Sequence, residues 1–337
     1  MPLNMIAEFD RLIRRDPARR GLISSEEKYG PLCVGHLAEA ALHLANNARM
    51  VGIVTGFFIP DGDIPAAETD GPLGALVLAV ALEKSGIETF LLTDHFCEPA
   101  VLACAEVIGY PREKIVIAEG EIAGWLDKFQ ASDLMRSCSH LISVERAGPA
   151  HTEQSLQRHP EHHPDHLEEF LLTVPVSSHN RCHNMRGRII DEHTPELHCL
   201  FDELPRRWPH VKTVGIGDGA NEIGMGAISW KELSLRVTGE AASRIPCRIP
   251  TDWNIVAGTS NWGAYALAAA FSLLRQKADS LQNWTGSQQL QMLTLMVERG
   301  PAVDGVTGKQ EATVDGLPFP TFIQPWLEMR RLLGLID

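Results

Sequence analysis

The chain predicts an α/β fold: a mainly parallel sheet with helices on both faces, followed by a C-terminal hairpin. Three observations carry this. Short β-branched apolar runs alternate with helical stretches of roughly 10 to 15 residues, the pattern of βαβ crossovers. Acids and amides recur just after the predicted strands, where ligands sit in such sheets. Finally, 337 residues at 44% hydrophobic and 22% charged suit one large domain or two closely joined ones.

Residues 1–30 read as a mixed-charge amphipathic arm that packs on the domain or on a partner. Residues 31–337 form the α/β unit, either one domain or two lobes, 31–150 and 200–337, around an insertion at 151–200. Cys33 to Ala48 is helical, with Leu37, Ala41, Leu44 and Ala48 on one stripe. Val51 to Ile59 reads as a buried strand that ends in an irregular loop running from Pro60 to Pro72. Leu73 to Ser85 follows as a helix, with Pro72 at its first position and Gly86 at its stop. The alternation continues through the strand Thr89–Leu92, the helix Pro99–Ile108, the strand Lys114–Ala118, the helix Ile122–Gln130 and the strand His140–Val144. Beyond the insertion come the strands Val211–Val214 and Asn254–Ala257 and the helix Ala264–Arg275. A hairpin is expected around Gly308, and the helix Phe322–Leu335 closes the core. In the repeated Val-Asp-Gly, Asp315 reads as turn chemistry and Asp304 as a site candidate.

The net charge of −13 disfavours nucleic acid and anionic membrane as partners, because both repel an acidic surface. Seven cysteines, an odd number without a C-x-x-C pair, point to free thiols in a reducing compartment. With no apolar leader and no apolar span of about 18 residues, a soluble cytoplasmic chain is expected. A homo-oligomer is left open. Nine of the 14 histidines fall within residues 151–200. That stretch reads as a solvated, partly mobile excursion and not a metal site, since His162-His163-x-x-His166 lacks a scaffold.

The chemistry concentrates in Val214–Gly226. Five glycines there allow close backbone approaches, and Asp218, Asn221 and Glu222 would share one face if a helix began at residue 218. Two carboxylates and an amide oxygen suit a hard divalent cation, Mn²⁺ or Mg²⁺. The competing readings are a purely structural glycine turn and a dinucleotide fingerprint, Gly215-x-Gly217-x-x-Ala220 with Glu240 downstream; Asp218 opposes the latter by repelling a pyrophosphate. The basic segment Asn184–Arg188 could hold a carboxylate or phosphate, or simply pair with surface acids.

Five stretches together resemble one family: Glu68-Thr69-Asp70-Gly71-Pro72, Val144–Gly148, Gly215–Gly226, Ala257–Leu267 and Val314–Phe319. In order, they are similar to the signatures of the D-glutamate cyclase C-terminal domain family, here in what reads as a stand-alone version. The resemblance implies dehydration of D-glutamate to 5-oxo-D-proline, a lyase reaction on a small-molecule substrate. Where the family pattern has Asp-Gly-x-Tyr-Tyr-Asn-x-Arg, only Asn184 and Arg186 match, with Cys182 and His183 at the aromatic positions.

The residues fit such chemistry as follows. Glu145, Asp218 and Glu222 would ligate the metal, and Glu68, Asp70 and Glu145 would move protons. Arg146 or Arg186, with Asn184, would hold the α-carboxylate, and Asn221, Ser260 and Asn261 would orient the amine. A metal-dependent phosphatase or hydrolase, a non-catalytic ligand-binding domain and a nicotinamide-dependent dehydrogenase are the alternatives.

Overall fold

Six parallel strands form the central sheet: β1 (Met50–Thr55), β2 (Glu88–Asp94), β3 (Ile115–Ala118), β4 (His140–Val144), β5 (Lys212–Gly217) and β6 (Trp253–Val256). Their spatial order is β3-β2-β1-β4-β5-β6. This computed structural model describes residues 2–335. Alternation along the strands feeds two apolar layers. Ile53, Leu91, Ile142 and Val214 enter one, while Val54, Phe90, Leu92 and Leu141 enter the other. Helices therefore cover both faces, as the alternating sequence requires.

Two nearly all-apolar helices fill the first layer, α2 (Pro72–Lys84) and α3 (Ser260–Leu274). They cross closely because Gly74 has no side chain: a Cβ there would lie 2.8 Å from that of Ala264. The arm joins the same layer through α1 (Pro2–Ile13), which buries Ile6, Phe9, Leu12 and Ile13. It thus packs on its own domain.

The expected helix Ile122–Gln130 and strand His140–Val144 are reproduced to the residue. Other boundaries move for identifiable reasons. The first strand stops at Thr55, where Gly56 turns the chain with φ +115°, and Phe58–Ile59 pairs separately with Ala66–Ala67. Helix α3 starts at Ser260 instead of Ala264, because Thr259 caps it by accepting from the Trp262 amide at 3.2 Å. The hairpin joins Thr313–Val314 to Leu317–Pro318 and turns at Asp315-Gly316, not at Gly308. Gly308 instead closes a loop against Asp63, whose amide it accepts at 2.7 Å. Asp304 ties that loop together, accepting from the amides of Val306, Thr307 and Gly316. It is structural and not a site residue.

The His-rich stretch also departs from expectation. It folds into the helices Glu153–Arg158 and Pro164–Thr173, with its own apolar cluster of Leu156, Phe170, Val174 and Trp230.

Candidate active site

In the order β3-β2-β1-β4-β5-β6 the winding reverses between β1 and β4, which opens a cleft beyond their carboxyl ends. The chain delivers acids to that cleft from four directions. Glu68 and Asp70 lie on the loop after β1, Glu145 directly follows β4, Asp218 directly follows β5, and Asp315 sits in the hairpin turn. The segment after β4 is laced to the loop after β5: the Gly148 amide donates to the Asn221 carbonyl at 2.9 Å, and the Ile223 amide to the Arg146 carbonyl at 2.9 Å. This lacing sets Glu222 beside Glu145. The loop 218–229 is not helical, so the expected i, i+3, i+4 face does not exist. The same fact removes the dinucleotide reading, which needs a helix N-terminus after Gly215-x-Gly217.

Asp70, Glu145, Asp218, Glu222 and Asp315 are each held in place. Asp70 accepts from the amides of Ser260 (2.7 Å) and Asn261 (2.9 Å), two of the orphan donors at the start of α3. Glu145 accepts from Ser260 Oγ at 2.5 Å and adopts a left-handed φ of +49°, strain of the kind found at functional sites. Gly71 makes this conformation fit, since a Cβ there would sit 2.8 Å from that of Glu145. Glu222 folds back to accept from the Gly219 amide at 2.9 Å. Asp218 meets Arg20 of the N-terminal arm at 2.5 Å, and Arg20 in turn grips Asp315 with two hydrogen bonds of 2.8 and 3.1 Å.

All six acids are at most 3% exposed. Burial, reinforced by neighbouring carboxylates, raises the pKa of Glu68 and Glu145, and lifts Asp70 to about 7. Burial also lifts Glu222 to about 7 and raises Asp218, in both cases against the pull of Arg20. One oxygen from each of Asp70, Glu145 and Asp218 lies within 4.8 Å of the others. Glu68 Oε1, both carboxylate oxygens of Asp218 and Asn221 Oδ1 are buried without a hydrogen-bond donor. Three converging carboxylates, of which Asp218 has no hydrogen-bond donor, offer the oxygen-only set that suits a hard divalent cation. The three acids that meet thus differ from the expected set: Asp70 joins Glu145 and Asp218, while the Glu222 carboxylate is turned onto the Gly219 amide.

Above the acids lies a cavity of about 210 Å³, lined by Arg20, Glu68, Glu145, Asn184, Arg186 and Asn221 among others. Its size suits a small metabolite. Arg186 stands exposed at the mouth, donating to the Val306 carbonyl at 3.0 Å, while Asn184 Oδ1 accepts from the amides of residues 186 and 188 and shapes their turn. Arg188 pairs with Asp61. Arg146 does not face the cavity. Its guanidinium is buried against Asp94 and also donates to the carbonyls of Gly56 (2.9 Å) and Pro195 (2.7 Å). That corrects its assignment as a substrate ligand. Asn261 is likewise spent on the backbone, accepting from the Gly74 amide at 2.7 Å and the Gly71 amide at 3.2 Å. Ser260 serves Glu145.

Sequence reading misses Arg20 and assigns Asp315 to turn chemistry alone. The available signals were an arginine-rich arm in an acidic chain and the place of Asp315 within the last of the five motifs.

These features define a doubly wound α/β protein with a buried acidic cleft that could hold a metal ion. The sequence profile described as "D-glutamate cyclase-like, C-terminal" matches residues 9–160 and 173–328, and the chain belongs to that family. Among its relatives is human "D-glutamate cyclase, mitochondrial", 28% identical across 93% of this chain and 49% of that protein. The chain thus spans about half the length of that relative. Residues 161–172, between the two matched segments, lie in the His-rich stretch. No helix among the described residues is long and apolar enough to cross a membrane.

Proposed function

We propose that this chain is a lyase of the D-glutamate cyclase kind, closing D-glutamate to 5-oxo-D-proline and releasing water. The observation that carries the reading is the buried Glu68–Glu145 pair, which opens onto an amino-acid-sized cavity in a member of this family. Burial, reinforced by neighbouring carboxylates, holds both Glu68 and Glu145 above the usual carboxylate range.

Ring closure joins the substrate amine nitrogen to its γ-carboxyl carbon and breaks one carbon–oxygen bond. Two protons leave the nitrogen, and both depart on that oxygen as water. Glu68, with Oε1 unpartnered, accepts the first proton and frees the nitrogen lone pair. The Glu68–Glu145 pair then returns protons to the departing oxygen. Asn221 Oδ1, also without a donor, orients the ammonium, and its amide is fixed by donating to the His183 carbonyl at 2.8 Å. Arg186 at the mouth binds the α-carboxylate. Asp70, Glu145 and Asp218 would hold Mn²⁺ or Mg²⁺, which when bound polarises the γ-carboxyl and offsets its negative charge.

The test is incubation of the purified chain with D-glutamate and Mn²⁺ or Mg²⁺, following loss of one water by mass. The expected result is 5-oxoproline from the D isomer. No dehydration with either ion defeats the proposal.

A further inference from the structure

We infer that Arg20 is a positioning residue of this cleft, which makes the N-terminal arm a working part of the site: held from outside by Asp315, it fixes Asp218 from inside. The inference rests on the reading of the cleft as a cation-assisted cyclase site and adds a residue and a segment to it.

The geometry is that of a relay. Arg20 presents both terminal nitrogens to Asp315, at 2.8 and 3.1 Å, and Nη1 also lies 2.5 Å from Asp218 Oδ2. The pair is dry: the side chain of Asp218 is 1% exposed and that of Asp315 fully buried. Asp315 does not line the cavity, and its left-handed φ of +53° is a conformation glycine or asparagine adopts more readily. An aspartate there supplies the two-pronged anchor that keeps the guanidinium from swinging. Arg20 holds Asp218 by charge at Oδ2 and donates no hydrogen bond to it, so both Asp218 oxygens stay free of donors while one of them lies close to Asp70 and Glu145.

The arm is built to deliver this side chain. Asp16 accepts from the amides of Arg20 (2.8 Å) and Gly21 (2.9 Å) and from Ser24 Oγ (2.6 Å). The Arg20 carbonyl accepts from the Thr238 amide at 3.0 Å. Gly21, at φ +100°, lets the turn press against the Arg236 carbonyl, which a Cβ would meet at 2.1 Å. A turn clamped on both sides is more than a surface arginine needs.

Charge accounting gives the same answer. Glu68, Asp70, Glu145, Asp218, Glu222 and Asp315 crowd one buried volume, and Arg20 is the guanidinium set among them. It therefore supplies positive charge beside the cation ligands, opposing the ion's affinity while fixing the geometry of one ligand.

The experiment uses the full chain and compares wild type with Arg20→Met, Arg20→Lys and Asp315→Asn. Mn²⁺ affinity is read by calorimetry and turnover by steady-state kinetics, with circular dichroism reporting the folded fraction. In Arg20→Met the Mn²⁺ Kd is expected to tighten several-fold as a neighbouring positive charge is removed. Its kcat is expected to fall about tenfold to a hundredfold as Asp218 loses its placement, with KM little changed. Arg20→Lys restores part of kcat, and Asp315→Asn lowers kcat less than Arg20→Met does. A merely structural role would lower the folded fraction and leave Kd and kcat per folded molecule unchanged; that result overturns the inference. If Arg20→Met does not fold, unchanged Kd and kcat in both Arg20→Lys and Asp315→Asn overturn it equally. Wild type that binds Mn²⁺ but leaves D-glutamate intact defeats the cyclase reading alone, because the Kd shift is measured without turnover.

Discussion

Asp218→Asn is the sharpest perturbation, because it removes one charge from the acidic cluster while keeping the shape. Losing one partner of a buried ion pair ordinarily costs about 3–5 kcal/mol. Here that cost is not expected, since Arg20 keeps its two hydrogen bonds to Asp315, and Asp218 sits among other carboxylates. The cation-free variant should therefore be as stable as wild type or more so. The contrast appears on adding Mn²⁺. At about a hundred times its Kd, an ion that binds only the folded state contributes about 2.7 kcal/mol. For a chain of 337 residues that is a rise in Tm of roughly 3–5 °C. The sign of the pH dependence follows from burial. Asp70 and Glu222 have folded pKa values raised to about 7, so stability present below their unfolded values is lost as the pH rises through 7. The cation-free protein is weakest above that pH, and Mn²⁺ helps it most there. Thermal melts of both proteins at pH 8, with and without Mn²⁺, provide the assay, and Asp218→Asn should show neither the Tm gain nor turnover. An equal gain in wild type and variant would refute the assignment of Asp218 as a ligand. So would a cation-free loss of several kcal/mol, because it would make Asp218 a structural ion-pair partner.

Glu68→Gln keeps the cavity lining but cannot take a proton; kcat should fall by about 10²–10⁴ while the Mn²⁺ Kd from calorimetry stays near that of wild type. Arg146→Met strands Asp94 in the interior, so urea unfolding should report a loss of about 3–5 kcal/mol, with the KM of the remaining folded enzyme unchanged. His140, buried and 2.9 Å from His43, has its pKa lowered from 6.5 to about 4, chiefly by burial and then by His43. Its contribution is present above pH 6.5 and is lost as the pH falls toward 4. Calorimetric melts across that range should show about 3 kcal/mol of destabilisation that His140→Gln lacks.

What could be read from the sequence was set by how far apart the cooperating residues lie along the chain. A parallel sheet carries every strand end to the same edge, so the acids after β1, β4 and β5 can be placed in one cleft from strand order alone. The strands follow from periodicity and composition alone. The insertion was misjudged because its apolar cluster depends on Trp230, more than fifty residues away from Phe170 and Val174. Glu222 was placed by assuming a helix that the run Gly215–Gly226 does not form.

Charge at a strand end says that a group is near the cleft, not that it is free to act there. Asp94 and Arg146 illustrate the distinction. Asp94 ends β2 and Arg146 lies just beyond β4, yet the two pair with each other in the interior. Glu145, one residue before Arg146, points the other way and meets no guanidinium of its own. Glu68 and Asp218 each keep an oxygen with no donor. Which acids the fold leaves short of a balancing partner can be summed only once every partner is placed. Arg20 decides it for Asp218 from nearly two hundred residues away, and no local pattern in Ala18-Arg19-Arg20-Gly21 separates it from the arginine beside it. Arg19 is held through its backbone, its amide donating to the Asp16 carbonyl and its carbonyl accepting from Thr238 Oγ1, while Arg20 turns inward. The difference between the two is made by the clamped turn at Asp16, which makes that turn as much a determinant of the site as the carboxylates themselves.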